Sequence, residues 1–159
     1  MSSLQERVNH ALDYFKSHGW TYNQSCGIVA NLQAESKVDP AAQQIGGGPG
    51  FGVAQWEGPR QRLFARLYGH DIHGSSLDQQ LAFVQYELTN TEQQAGNNLR
   101  STHTAGEAGA SVCRFYERPA DTEGQAKYRC QLAEQIAKSY SQFSNVNAGS
   151  NTTAPPKEA

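Results

Sequence analysis

Glu35 is the side chain whose type and setting could do chemistry here. It falls in the last turn of a predicted helix otherwise built of Gly, Ile, Val, Ala, Leu and Gln, with Leu32, Ala34 and Val38 beside it. A carboxyl there is disfavoured as an anion twice over. The helix C-terminus carries partial negative charge, and apolar surroundings oppose ionisation. Both effects raise the pKa, and a raised carboxyl holds its proton near neutral pH, as a general acid must. The competing reading is an exposed helix-end Glu without a role. Most of the fifteen Asp and Glu residues read as solvated surface.

Other chemistry-bearing patterns are weaker. His70 and His73 have no third or fourth ligand spaced near them, so loop histidines are the better reading than a metal site. Arg60, Arg62 and Arg66 could grip an anion, but with Leu63 and Leu67 opposite they read as a solvated helix face. The glycines from Gly46 to Gly52 match no GxGxxG register, and neither GxxxxGK[ST] nor GxSxG is present. Cys26, Cys113 and Cys130 are odd in number and widely spaced, which suits three separate thiols rather than a disulfide framework or a CxxC site.

The elements that must position Glu35 read as helices. Leu4, Val8, Ala11, Leu12 and Phe15 share one helical face, with Gly19 as a stop. A second helix runs from about Asn23 to Ser36, before Asp39-Pro40. IGGGPGFGVAQWEGP then excludes helix and predicts an irregular loop or a short strained hairpin. Pro59 opens a helix carrying Leu63, Phe64 and Leu67 that stops at Gly69. Ser76–Gln79 and Thr104–Glu107 are capping boxes for two more, the latter helix ending before Pro119. A last helix starts near Asp121 or Thr122 and carries Ala126, Leu132, Ala133, Ile136 and Tyr140. About six helices are expected, in a mainly α domain spanning residues 1–143. Residues 144–159 are rich in Ser, Asn, Thr, Ala and Pro and read as a flexible tail.

The chain has 159 residues, one ordinary domain, with 37% hydrophobic and 18% charged residues. Its net charge of −2 argues against bulk-charge binding of nucleic acid or anionic membrane. Mean hydropathy is −0.68, and no apolar run approaches the roughly 20 residues of a membrane helix. The first ten residues lack the pattern of a signal peptide, so the expectation is synthesis in the cytoplasm and delivery by another route.

Several blocks together resemble the phage tail lysozyme family. They are Gly27-Ile-Val-Ala-Asn-Leu-Gln-Ala-Glu35-Ser36, Asp39-Pro40-Ala41-Ala42, Gly46-Gly-Gly-Pro-Gly-Phe-Gly-Val-Ala-Gln55-Trp56 and Gly58-Pro-Arg60. Later blocks, Gln80 to Leu88 and Phe115-Tyr-Glu-Arg-Pro119, resemble it too, so the likeness runs from about Val8 to Tyr140. The Glu-Ser pair followed by Gly-x-x-Gln is also similar to goose-type lysozymes and soluble lytic transglycosylases.

The resemblance implies a lysozyme-like α domain with a small Gly-rich β-hairpin or loop insertion. It implies cleavage of the β-1,4 bond between N-acetylmuramic acid and N-acetylglucosamine in peptidoglycan. Glu35 takes the place of the catalytic glutamate. Ser36, Gln55, Trp56 and Tyr116 are the expected substrate-binding residues, with Trp56 either stacking on a sugar or plugging the core. A two-carboxylate mechanism needs a second acid about 5–5.5 Å away for retention or about 6.5–9.5 Å for inversion. Glu57, Glu87 and Glu117 are the candidates. Asp39, before Pro40, reads instead as a turn cap, and Glu87 could equally be a buried partner for an Arg. A one-glutamate transglycosylase forming 1,6-anhydromuramic ends is the alternative. Neither route requires a metal or an organic cofactor.

Expected partners are peptidoglycan glycan strands and a phage tail or secretion-system component, or an immunity protein, acting at the cell wall after delivery. The slightly acidic balance gives little charge steering toward an anionic wall, which suits a delivered enzyme. From another class, the chain could be a non-catalytic glycan-binding or structural assembly module.

Overall fold

The computed structural model describes residues 2–147, and side chains for residues 2–140. Seven α-helices follow one another among these residues: α1 (Leu4–Ser17), α2 (Tyr22–Ser36), α3 (Gly58–Tyr68), α4 (Leu77–Thr89), α5 (Gln93–Arg100), α6 (Ala105–Val112) and α7 (Thr122–Asn147). A π-turn, Cys113–Glu117, continues α6. The domain is mainly α, as the sequence predicts. The Gly-rich insertion forms no strand among the described residues, only isolated antiparallel bridges pairing Phe51 with Gln43 and with Trp56.

Local signals set most helix ends. Full capping boxes open α1 at Ser3, α2 at Thr21, α4 at Ser76 and α6 at Thr104. Pro59 sits in the first turn of α3, and Gly69 closes that helix in a left-handed conformation. The predicted six helices become seven because α5 was not foreseen. Its sequence, QQAGNNLR, is short and holds a glycine and two asparagines, which are poor helix formers. Packing overrides propensity there. Gly96 lies so close to α4 that an added Cβ would sit 1.9 Å from the Leu88 carbonyl oxygen.

α2 runs through the middle of the fold and is buried over most of its length, from Gln24 to Leu32. It packs on α6 by way of Gly27, where an added Cβ would lie 2.4 Å from the Ala108 Cβ. Gly109 plays the same part between α6 and α7, an added Cβ falling 2.6 Å from the Arg129 carbonyl oxygen. Phe15, Trp20, Ile28, Leu32, Phe64, Phe83 and Leu81 fill the core. Tight α2–α6–α7 packing fixes the end of α2, and with it Glu35. The tail expected at 144–159 begins inside α7, which extends to Asn147; its remainder lies outside the described residues.

Candidate active site

The chain turns sharply as α2 ends. Lys37 and Val38 both take left-handed backbone, with φ of 57° and 55°. For a β-branched residue this is a rare conformation, with strain on the order of 1–3 kcal/mol. Full burial of Val38 offsets it, and Arg7 clamps it from α1. Arg7 Nε donates to the Val38 carbonyl at 3.1 Å and Nη2 to the Lys37 carbonyl at 3.0 Å. Asp39 Oδ1 then accepts from the Ala41 amide at 2.9 Å, making the turn expected of it.

The Gly-rich loop follows, and buried side chains from other elements hold it. Gln80 of α4 accepts from the Val53 amide at 2.9 Å and donates to the Pro40 carbonyl and the Ser75 hydroxyl, each at 2.9 Å. Gly52, at φ 86°, leaves the room this needs; an added Cβ would stand 2.7 Å from Gln80 Oε1. Gln55, itself at φ 56°, turns its amide onto the Ala42 and Gly52 carbonyls at 3.0 Å each. The Ser36 hydroxyl lies 2.7 Å from the Val53 carbonyl and 2.9 Å from that of Leu32, so its one hydrogen ties the loop to α2. Ser36 thereby braces the loop.

Between this loop and the π-turn lies a cleft of about 630 Å³. Glu35, Gln55, Glu57, Arg60 and Glu117 line it, and the fully exposed Ile45 stands on its rim. The structure thus brings together three of the four carboxyls singled out from sequence. Glu57 is exposed at the start of α3 and makes no capping bond.

The surroundings of Glu35 are not the apolar ones expected. Arg129 of α7, only 4% exposed, places Nη1 2.9 Å from Glu35 Oε2. The same nitrogen donates to Asn31 Oδ1 at 3.1 Å, and Arg129 Nε donates to Gln125 at 3.2 Å. Asn31 Nδ2 is held by the carbonyls of Gly27 and Gly109, at 2.9 Å each. Leu32 and Val38 do bury, but neither lines the cleft, and Glu35 meets a cation from α7.

Glu87, Trp56 and Tyr116 form a separate buried cluster beneath the cleft. Glu87 Oε1 accepts from Trp56 Nε1 at 2.8 Å, from the Tyr116 hydroxyl at 2.6 Å and from Arg60 Nη2 at 2.7 Å, and Oε2 accepts from Arg60 Nε at 2.7 Å. Both carboxylate oxygens are engaged, and Glu87 is fully buried. Trp56 is 1% exposed and packs 5.0 Å from the Phe83 ring, so it plugs the core and offers no face to a sugar. Tyr116 is wholly buried as well. Burial first, and the Glu87 carboxylate next, push its hydroxyl well above its ordinary pKa and keep it a donor. Arg60 is not a merely solvated arginine, unlike the exposed Arg62 and Arg66; it bridges this cluster to the cleft.

Glu117 ends the π-turn, which Arg118 closes in left-handed backbone with its amide on the Cys113 carbonyl at 2.8 Å. The wider π winding sends Tyr116 into the core and Glu117 to the cleft wall. π-turns inside helices occur frequently at functional sites. Part of the Glu117 side chain reaches the cleft surface, but Oε2 is shielded and has no hydrogen-bond partner among the described residues. Burial, followed by repulsion from Glu35, raises this carboxyl well above the usual range, against the pull of Arg60 and Arg129.

Arg129 and Arg7 lie outside the sequence-based expectations, and Asn31 and Gln80 enter them only as members of the family blocks, with no role assigned. Three carried a usable signal: a polar residue on an apolar helical stripe. Arg129 falls between Ala126 and Ala133, Asn31 amid α2, and Gln80 in step with Val84. His70 and His73 are surface residues; His73 pairs with Asp71 at 2.5 Å and packs on Phe51. The three thiols are separate, with Cys26 and Cys113 buried.

The profile of one sequence family, described as phage tail lysozyme, matches residues 6–140. Morphogenesis protein 1 of Bacillus phage B103 is 31% identical over 134 residues, a match covering 76% of this chain. The chain spans 36% of the length of that relative. The family match takes in Glu35, the Gly-rich loop, the π-turn and Arg129, all within one mainly helical domain, and the chain belongs to the phage tail lysozyme family.

Proposed function

We propose that this chain cleaves the β-1,4 bond between N-acetylmuramic acid and N-acetylglucosamine in peptidoglycan, with Glu35 protonating the leaving oxygen. The observation carrying this is the position of Glu35: at the end of a rigidly packed helix, lining an open polar cleft beside Gln55, Glu57 and Glu117. A general acid must reach the bond it protonates, and a cleft-lining position at the end of a buried helix supports that role. The second group would come from Glu57 or Glu117. Glu87 is the less suitable candidate, because its oxygens already serve Arg60, Trp56 and Tyr116. No step calls on a metal or an organic cofactor. The family supports a phage-tail setting, and delivery to the wall by a tail or secretion machine follows as part of the proposal.

One observation favours the transglycosylase route as a second reading. Of the two other carboxyls lining the cleft, Glu57 is exposed and makes no capping bond, and Glu117 has a shielded oxygen without a donor, so no partner holds either in place as a second carboxylate. A muramic 6-hydroxyl could then take the place of a second carboxylate. Digestion of purified peptidoglycan by wild type and Glu35→Gln, with sugar ends read by mass spectrometry, tests both. Reducing muramic ends absent from the variant establish a hydrolase. Anhydro ends, lighter by one water, establish a transglycosylase. Sacculi that bind the chain without new ends would place it among glycan-binding or assembly modules.

A further inference from the structure

We propose that Glu117 holds a proton in the resting cleft and serves Glu35 as its proton reserve. The inference rests on the glycosidase reading for its use, but not for its physical basis. Arg129 is almost fully buried and has Glu35 as its carboxylate partner at 2.9 Å. That guanidinium also donates to Asn31 and Gln125, so its hydrogen bonds are taken up away from Glu117. Glu117 is the converse case. Its Oε2 is shielded from solvent and receives no hydrogen bond among the described residues. A carboxylate oxygen in that state is costly, whereas a neutral carboxyl there is not.

The groups facing Glu117 come from every element around it. They are Glu35 of α2, Glu57 on the same cleft at the start of α3, Arg60 of α3, Glu87 of α4 and Arg129 of α7, with Cys113, Tyr116 and Arg118 from its own turn. The two cations do not rescue its anion, because each is already committed: Arg60 to Glu87 through two hydrogen bonds, Arg129 to Glu35. Three carboxyls line this cleft, and Glu117 is the one with a shielded oxygen and no donor among the described residues, which favours its neutral form. The direction of the Glu117 shift agrees.

During cleavage Glu35 gives a proton to the leaving oxygen, and Glu117 replaces it. The glycosidic C–O pair departs with that oxygen. Water, or the muramic 6-hydroxyl in the alternative route, bonds to the anomeric carbon, and its released proton returns to the carboxyl pair. Proton count and charge are restored at the end of each turnover.

The test needs no substrate. Side-chain carboxyl ¹³C resonances of the full chain, assigned through bonds in the wild type so that no variant need fold, are followed against pH. The expected result is a Glu117 carboxyl that titrates above the ordinary carboxylate range. In Glu35→Gln the Glu117 titration moves to lower pH, because the like charge is gone. Titration of Glu117 at or below its ordinary value of about 4.3 overturns the proposal. So does a Glu117 titration that Glu35→Gln leaves in place. The kinetic counterpart uses sacculi: Glu117→Gln keeps a larger share of wild-type rate in acid than at neutral pH. An equal fractional loss at every pH means a structural role and also overturns it. Wild type inert on sacculi would sink the functional reading alone, with the titration still deciding the proton.

Discussion

Removing the carboxylate of Glu87 should unfold this domain more readily than any change to the other candidate acids. Glu87→Ala leaves Trp56 Nε1 and the Tyr116 hydroxyl without an acceptor, both in buried residues that water cannot reach. Each orphaned donor costs about 1–3 kcal/mol. Arg60 loses its partner too, but its side chain is 24% exposed and can partly rehydrate, so its share is discounted to about 1 kcal/mol. The sum, about 3–7 kcal/mol, overlaps the roughly 3–5 kcal/mol typical of breaking a buried pair from one side. About 4 kcal/mol is therefore expected, or a fall in Tm of roughly 8–16 °C for a domain of this size. Glu87→Gln keeps one acceptor oxygen and should lose about half as much. Circular-dichroism melts and urea titrations of both variants, with Glu57→Ala as an exposed control within about 0.5 kcal/mol of wild type, give the comparison. A Glu87→Ala protein within about 1 kcal/mol of wild type would refute the reasoning. A Glu87→Gln variant that keeps full stability but loses turnover would show that Glu87 acts in the reaction after all.

Three further outcomes follow from the same physics. Glu117 is raised in the folded state, so folding favours its neutral form: its contribution is intact at low pH and is lost as pH rises from the unfolded value through the folded one. Glu117→Gln should therefore gain in Tm over wild type at neutral pH and not at about pH 4, and melts across that range check it; equal differences at both pH values would contradict it. Gly27→Ala pushes a methyl to 2.4 Å from the Ala108 Cβ and 2.5 Å from its backbone carbon, so α2 and α6 must separate, at about 1–3 kcal/mol or more in urea unfolding. Ser36→Ala removes the tie between α2 and Val53, costing about 1 kcal/mol; its effect on sacculus cleavage should exceed that of Asp39→Ala, whose turn lies off the cleft wall.

How much of this was legible in the chain follows from what each signal depends on. Capping boxes at Ser76 and Thr104, Pro59 and Gly69 at the ends of α3, and the apolar faces of α1 and α4 are local, and the structure uses them as read. The Gly-rich run announced a loop for the same reason, since its glycines forbid helix whatever surrounds them. The block from Gly27 to Trp56 also carried enough residue identity for the family to be read before any coordinates, with Glu35 marked within it.

What the sequence could not fix is which side chains meet across elements. From sequence Trp56 suits a sugar face or the core alike, Tyr116 reads as a substrate contact, and Glu87 as a second acid or a buried partner for an Arg, because burial of an aromatic or a carboxyl depends on partners from other helices. α4, α3 and the π-turn converge beneath the cleft and settle all three as buried. Arg129 lies far along the chain from Glu35, so the charge beside that glutamate was invisible until α6 and its small residues brought α7 against α2. α5 escaped for a related reason: its residues hold a helix only because Gly96 lets it press on α4. Helix limits and motif identity are written in neighbours along the chain. The electrostatics of the cleft are written in neighbours through space, and only tertiary packing supplies those.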